Sequence, residues 1–266
     1  MSMKTGTTSR SREHSGYEYA DTHCHLVPDW FTLEEISKIA IKAQQSGIKT
    51  IINSVLKSEN YSFGLKTIKN KGIHLTIGTE ITDNSQESIQ MLKEFYTSNQ
   101  ESIVAIGEIG LDFYWVKEEE KRSDQEKYFK QLIQFSIAHD IPIVVHSRGA
   151  ESKAIEILKA TGAENVLMHC FEGTAEQIND VMRRAWYISV PTSTVYRKNF
   201  QKVLQLVSLD NLMFETDSPF HSLEKEENNT PLSIPTLCRN GARILEVEEK
   251  ELAYITTKNV KDFYRL

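Results

Sequence analysis

The first strand-like segment of the chain is Tyr19-Ala20-Asp21-Thr22-His23-Cys24-His25-Leu26. Side chains on a strand alternate between its two faces, so His23 and His25 leave one face while Cys24 leaves the other. Two imidazoles side by side form half of a transition-metal site, because neutral imidazole binds zinc, iron, copper and nickel. Two hydrogen-bonded core histidines would give the same pattern. The later strands therefore decide between a metal site and a core pair.

Seven further apolar segments rich in β-forming residues follow, and amphipathic helical windows separate them. Short continuous apolar runs suit parallel strands that are buried on both faces. Between the first two strands, Leu33, Ile36 and Ile39 keep the spacing of one helix face. Eight such strands alternating with helices are typical of a (β/α)₈ barrel. The predicted strands after the first are Thr50–Val55, Leu75–Gly78, Ile103–Gly107, Ile141–Val145, Asn165–Met168, Tyr187–Val190 and Leu212–Phe214.

A doubly wound open sheet is the competing α/β architecture. That fold usually carries a glycine-rich phosphate loop directly after its first strand. This chain carries the histidine pair at that position, which favours the barrel. We therefore predict an α/β protein with a single TIM-like (β/α)₈ barrel domain over residues 19–266, preceded by a mobile N-terminal tail over residues 1–18.

The charge of the chain excludes one class of DNA-binding protein. Its formal net charge is −6 over 266 residues. A protein that coats long duplex DNA usually has a basic surplus, because neutralisation of phosphates drives nonspecific affinity. Any nucleic-acid substrate would have to be attracted locally, by metal ions and a few basic side chains.

The cysteines and the apolar runs bear on the compartment. Three widely spaced cysteines, Cys24, Cys170 and Cys238, show no paired spacing, so we expect a reducing compartment without a disulfide framework. No run of about 20 apolar residues occurs, so no membrane span is predicted. We expect a cytoplasmic monomer that does not contact membranes.

Titratable side chains recur where the predicted strands end, which is the functional face of a barrel. Taken singly, each has an ordinary explanation, such as a core histidine or a capping aspartate. The chain has only eight histidines, however, and half of them lie at strand ends. The joint pattern therefore favours a metal site. Its six candidate ligands are His23, His25, Glu108, His146, His169 and Asp217.

Six ligands suggest more than one ion. A zinc-like ion at a catalytic site takes three protein ligands and water, and Glu108 is a natural bridging carboxylate between two ions. Two ions about 3.5–4 Å apart stabilise both the attacking and the departing oxygen of a hydrolysis. We therefore predict two divalent ions, drawn from zinc, manganese, nickel, iron and, less readily, magnesium.

The candidate ligands lie in five motifs: Asp21–Leu26, Gly107–Asp112, Val145–Arg148, His169–Phe171 and Glu215–Pro219. These motifs resemble those of the TatD-type metal-dependent deoxyribonucleases, a family of the amidohydrolase superfamily. The resemblance runs from about Tyr19 to Leu266, with the motifs in the same order and at similar spacing. It implies a distorted (β/α)₈ barrel and a hydrolase that acts on the ester bonds of DNA. The acidic composition then favours single strands or DNA ends.

The resemblance also divides the ligands between two ions. One ion would take His23, His25 and Asp217 together with Glu108. The other would take Glu108, His146 and His169.

Three residues receive further roles from the resemblance. Asp217 would orient a metal-activated water molecule and act as the general base that accepts its proton, and Glu108 would be its catalytic partner as the bridging ligand. Arg148 would help to neutralise charge on the phosphate oxygens.

The chain departs from the family pattern at two loops. After strand three, members usually carry Gly-x-His-Pro, and the matching stretch here is Gly78-Thr79-Glu80-Ile81. Glu80 thus replaces a residue that holds substrate, and an anion there repels phosphate unless a cation is close. After strand seven, Val190-Pro191-Thr192-Ser193 replaces the usual Ser-Gly. Two alternatives stay open: hydrolysis of a small ester, amide, lactone or phosphoester, and a non-catalytic binding subunit.

Overall fold

A computed structural model describes residues 16–224 and 227–266 of the chain. Residues 1–15 of the predicted tail lie outside these described residues. The last two tail residues contact the folded chain: Tyr17 packs against the apolar core, and Thr257 Oγ1 donates a hydrogen bond to the Glu18 carbonyl (2.9 Å). Within the described ranges, none of the helices has the length and apolar character that crossing a membrane requires.

Eight parallel strands form one sheet in which each strand pairs with the next along the chain. This order confirms the predicted barrel, and the open doubly wound alternative is wrong. The fourth strand is longer than predicted, so that Glu108 lies within it rather than in the loop behind it. The strands are β1 (Tyr19–Cys24), β2 (Ile48–Val55), β3 (Ile73–Ile77), β4 (Ile103–Gly110), β5 (Ile143–His146), β6 (Val166–Met168), β7 (Tyr187–Pro191) and β8 (Leu212–Glu215).

Helices alternate with the strands and bury one face against them. The first helix begins at Thr32, whose hydroxyl accepts a hydrogen bond from the Glu35 backbone while the Glu35 carboxylate accepts one from the Thr32 backbone. This capping box satisfies two of the free N–H groups at a helix start. The helices are α1 (Leu33–Gln45), α2 (Tyr61–Thr67), α3 (Gln86–Ser98), α4 (Glu119–Ala138), α5 (Glu151–Thr161), α6 (Ala175–Met182), α7 (Lys198–Leu206), α8 (Ile234–Leu245) and α9 (Glu249–Tyr264).

The barrel is nearly closed between β1 and β8, where backbone hydrogen bonds join the segments at their carboxyl ends. The Asp217 backbone donates a hydrogen bond to the His23 carbonyl (3.0 Å), and the His25 backbone donates one to the Ser218 carbonyl (2.7 Å). Just below, the buried Asp21 carboxylate accepts hydrogen bonds from the Thr216 N–H (2.9 Å) and Oγ1–H (2.6 Å). Burial raises the pKa of Asp21 to about 8, against the lowering effect of those Thr216 bonds. This seam holds Asp217 beside the histidine pair.

The seam gives a stability prediction. Thr216→Val should lower the free energy of unfolding by about 1–3 kcal/mol, because it leaves a buried Asp21 oxygen without its donor. The matched control is Thr76→Val in β3, since the buried Thr76 hydroxyl has no hydrogen-bond partner to lose. Urea denaturation of both variants measures the difference. Equal losses would mean that the Thr216 hydroxyl contributes nothing beyond its volume.

Candidate metal centre

The histidine pair of β1 faces the aspartate that follows β8. His25 Nε2 lies 3.3 Å from His23 Nε2 and 3.3 Å from Asp217 Oδ1, and His23 Nε2 lies 3.8 Å from the same oxygen. His25 Nδ1 donates a hydrogen bond to the Ser54 carbonyl (3.0 Å). Since a neutral imidazole carries one N–H, that bond leaves the lone pair of His25 on Nε2, where it points at the other two groups.

Glu108 connects this trio to the remaining histidines. Its Oε1 lies 3.2 Å from His169 Nε2 and 3.9 Å from His23 Nε2, and its Oε2 lies 3.5 Å from His146 Nδ1. His146 Nδ1 and His169 Nε2 are 3.4 Å apart. Five of the six predicted ligands therefore line one cavity of about 510 Å³, and the sixth, His23, is fully buried behind them in contact with Glu108.

Two glycines allow the backbone around Glu108 to be packed this closely. A Cβ at Gly78 would clash with the backbone nitrogen and oxygen of Glu108. A Cβ at Gly110, whose φ is +147°, would clash with the His146 carbonyl. Only glycine fits at such positions, so these residues let β3, β4 and β5 bring their carboxyl ends together.

Two acids orient the histidine rings from behind. Asp112 Oδ2 lies 3.0 Å from His146 Nε2, so the other nitrogen of that ring faces Glu108. Glu215 Oε1 lies 3.6 Å from His169 Nδ1, and Ser189 Oγ donates a hydrogen bond to the other Glu215 oxygen (2.7 Å). Carboxylates behind ligating histidines commonly fix ring orientation at metal sites.

The charges of this cluster fit divalent cations. Burial and the neighbouring His169 and His25 hold the pKa of His23 well below its usual range, so its ring is neutral. Burial alone would lower the pKa of His146, but hydrogen bonds with Asp112 and Glu108 raise it to about 9. The carboxylates thus stabilise protons on some of the rings, and a bound divalent cation would replace those protons.

One prediction concerns the ring orientation. Asp112→Asn should weaken divalent-metal binding by about 10–100-fold. The neutral amide is a weaker hydrogen-bond acceptor for the His146 N–H than the carboxylate, so it no longer fixes the ring. Isothermal titration with Mn²⁺ measures the affinity, and Asp124→Asn on α4 serves as the control. An unchanged affinity would show that Asp112 does not act through His146.

The two predicted substrate residues lie in different places. Arg148 lines the same cavity as five of the six predicted ligands and stacks on Tyr114, with its guanidinium carbon 4.0 Å from the ring centroid. Glu80 instead lines a neighbouring cavity of about 350 Å³, together with Lys57. Lys57 pairs with Asp29 (3.0 Å), and its pKa is raised by that hydrogen bond and by the charges of Asp29 and Glu80.

Two further residues at the cavity had no role in the sequence analysis. Cys170 follows the ligand His169, and His221 follows Asp217 by four positions in a loop. Both line the cavity, and His221 Nε2 lies 3.5 Å from Asp217 Oδ2. The sequence pattern does not predict where the His221 side chain points, because a histidine in an irregular loop follows no periodicity.

Comparisons with known proteins agree with this geometry. The model of a family described as TatD related DNase matches residues 20–265. An uncharacterised metal-dependent hydrolase of Bacillus subtilis, YabD, is 31% identical, and the match covers 92% of this chain and 98% of the relative. Human deoxyribonuclease TATDN3 is 27% identical, and the match covers 92% of this chain and 94% of the human protein.

The fold also has a close match among solved structures. A TatD homologue of Escherichia coli, YJJV, superposes with a TM-score of 0.84 at 22% identity, covering 93% of this chain and 98% of that chain. At this identity the likeness supports the barrel alone.

Proposed function

This chain belongs to the TatD-related DNase family, and from that membership we propose that it is a divalent-metal-dependent deoxyribonuclease acting on single strands or DNA ends. The resemblance predicted from its motifs is thereby confirmed, as is the coarser statement that it is a metal-dependent hydrolase. The observation that carries the proposal is the convergence of four histidines and two carboxylates, from five strands, on one site.

The proposed ligands form two sets. When bound, the cations supply Lewis acidity, polarising a phosphate oxygen and acidifying the attacking water. Glu108 lies between the sets and is positioned to bridge them. The first set is His23, His25, Asp217 and Glu108, and the second is Glu108, His146 and His169.

Asp217 is placed to move the proton. Its Oδ1 faces the histidine pair and its Oδ2 faces the open cavity beside His221, so it can accept a proton from water that attacks phosphorus. The P–O bond to the departing sugar oxygen then breaks, and the proton that Asp217 accepted can pass to that oxygen. Arg148, on the same cavity wall, can donate hydrogen bonds to the phosphate oxygens as negative charge develops.

Exposed aromatic rings around the cavity support a single-stranded substrate. Trp30 and Phe220 are 47% and 50% exposed and pack edge to face at 6.0 Å. Tyr114 and Trp115, which contact Arg148, are 50% and 64% exposed. Bases of single strands stack on such rings without sequence preference. Phe171, by contrast, is buried and takes no part.

Arg148 provides a test of phosphate contact. Arg148→Ala should lower kcat/KM on DNA by about 10–100-fold, the effect of losing one charge-assisted hydrogen bond. The control is Arg184→Ala, which removes another arginine that stacks on an aromatic ring but pairs with Asp180 on α6, away from the cavity. If both variants cleave like the wild type, Arg148 does not contact the substrate.

The proposed activity is tested by incubating labelled single-stranded DNA with the metal-free protein and adding Mg²⁺, Mn²⁺ or Zn²⁺. We expect cleavage that requires the metal. A parallel panel of small chromogenic esters, lactones and phosphoesters tests the alternative that Glu80 suggested. Lys57 lies in the same cavity as Glu80 but is paired with Asp29, so it does not neutralise the charge of Glu80. Faster turnover of the small substrates would overturn the proposal, and turnover of neither would favour a binding subunit.

A further inference from the structure

Three side chains at the cavity form a second group of possible metal ligands, beside the predicted cluster. Cys170 Sγ lies 3.5 Å from His221 Nε2, and His221 Nε2 lies 3.5 Å from Asp217 Oδ2. All three ligand atoms lie within 4.8 Å of one another. Around a tetrahedral zinc ion, bond lengths of about 2.0–2.3 Å place neighbouring ligand atoms roughly 3.3–3.6 Å apart. The two separations of 3.5 Å, from His221 Nε2 to Cys170 Sγ and to Asp217 Oδ2, are therefore compatible with a shared cation. They are equally compatible with long hydrogen bonds.

The ring of His221 is held in the orientation that a metal ligand needs. Its Nδ1 lies 2.6 Å from Ser193 Oγ, and Thr192 Oγ1 donates a hydrogen bond to the His221 carbonyl (2.7 Å). When Nδ1 carries the ring proton and donates a hydrogen bond to the serine hydroxyl, the lone pair of His221 is on Nε2. That nitrogen faces Asp217 and Cys170. The arrangement repeats that of His25, whose Nδ1 donates to the Ser54 carbonyl.

The backbone of the three residues is unusual in the same way. Cys170, Asp217 and His221 have φ angles of 45°, 49° and 53°. Among the described residues, the other non-glycine positions with positive φ closely follow helix ends, where this conformation is common. These three instead lie in loops behind β6 and β8, and strained backbone of this kind clusters at ligand sites.

We propose that Cys170, Asp217 and His221 form an additional site for a divalent cation of the zinc class, bound through a thiolate. Asp217 bridges this site to the histidine pair, with Oδ1 toward His25 and Oδ2 toward His221, so an ion bound here occupies the oxygen that otherwise accepts the proton of water. On binding, the Cys170 thiol loses its proton to solvent and the sulfur binds the cation. Because thiolate ligands select soft ions, the site takes Zn²⁺, Cd²⁺ or Co²⁺ and excludes Mg²⁺.

The site goes beyond the proposed nuclease activity and depends on features particular to this chain. Ser193, which holds the His221 ring, comes from the loop after β7, where the sequence departs from the family pattern. Neither Cys170 nor His221 belongs to the two predicted ligand sets.

Metal titration tests the site without any substrate. Metal-free protein is titrated with Co²⁺ to detect thiolate-to-metal charge-transfer absorption, and zinc per chain is counted by mass spectrometry after saturation. We expect the wild type to show the absorption and to bind one more zinc ion than Cys170→Ser, which keeps the other ligands. Ser193→Ala retains all three ligands and should weaken zinc binding at this site by about 10–100-fold.

The control is Cys238→Ser, which removes a buried thiol of α8 and should leave both readouts unchanged. Circular dichroism and melting curves confirm that each variant is folded. Equal zinc counts in the wild type and Cys170→Ser, without absorption, would show a hydrogen-bonded Cys170–His221 pair only. Absorption without the extra ion would also overturn the proposal, because Cys170 would then ligate an ion of the predicted cluster. The absorption and the zinc count do not depend on nuclease activity, so a failure of the proposed nuclease function would not change them.

Discussion

Asp217→Asn should lower kcat on single-stranded DNA by roughly 10²–10⁴-fold, the usual contribution of a positioned general base. The amide keeps a carbonyl oxygen near His25 but cannot accept the proton of the attacking water. Although burial alone would raise it, the hydrogen bond and charge of His25, with the charge of His169, lower the pKa of Asp217. The carboxylate is therefore ionised at neutral pH, as a base must be.

Kinetics at saturating DNA measure the effect, and metal content is determined in parallel. The control is Asp210→Asn, which changes an exposed aspartate just before the same strand, β8. Wild-type cleavage by purified Asp217→Asn would contradict the assigned role, or reveal a contaminating nuclease if the cleavage does not follow the protein on a column.

Glu108→Gln should have the largest effect on metal binding. Glu108 is within 3.9 Å of the ring nitrogens of His23, His146 and His169, so it serves both proposed ions. The amide removes a full negative charge from a buried site, and we expect the metal affinity to fall by more than about 100-fold, beyond the loss typical of an outer-shell partner. Cleavage of DNA should fall with it.

Equilibrium dialysis with Mn²⁺ measures the loss, and Glu101→Gln, in the exposed turn before β4, is the control. Two ions retained at wild-type affinity in Glu108→Gln would show that this carboxylate does not bridge them.

The fold and the convergence of the six candidate ligands could be predicted from the sequence because both follow from strand ends, whereas their role as metal ligands stays a prediction. Parallel strands of a barrel place their carboxyl ends on one rim, so residues such as His23, His169 and Asp217 meet although they are far apart in the chain. Periodicity and motif order are sufficient for that step. Their assignment to two ions stays a prediction.

The surroundings of the ligands depend on packing that no periodicity encodes. Asp112 turns back onto His146 because the loop after β4 is folded against the loop after β5, where the Phe113 backbone donates to the Arg148 carbonyl (3.0 Å). His221 lies beside Asp217 because Ser193 and Thr192, in the loop after β7, hydrogen-bond to its ring and its carbonyl. Glu80, predicted to contact substrate, lines the neighbouring cavity, which shares His25 and Phe220 with the cavity of the predicted ligands.

The most direct test is a crystal structure of the protein soaked in Mn²⁺, an ion that binds imidazole and carboxylate but avoids thiolate. Anomalous scattering should show two peaks about 3.5–4 Å apart, one bounded by His23, His25 and Asp217 and the other by His146 and His169, with Glu108 between them. A single peak, or peaks outside this cluster, would contradict a two-metal hydrolase.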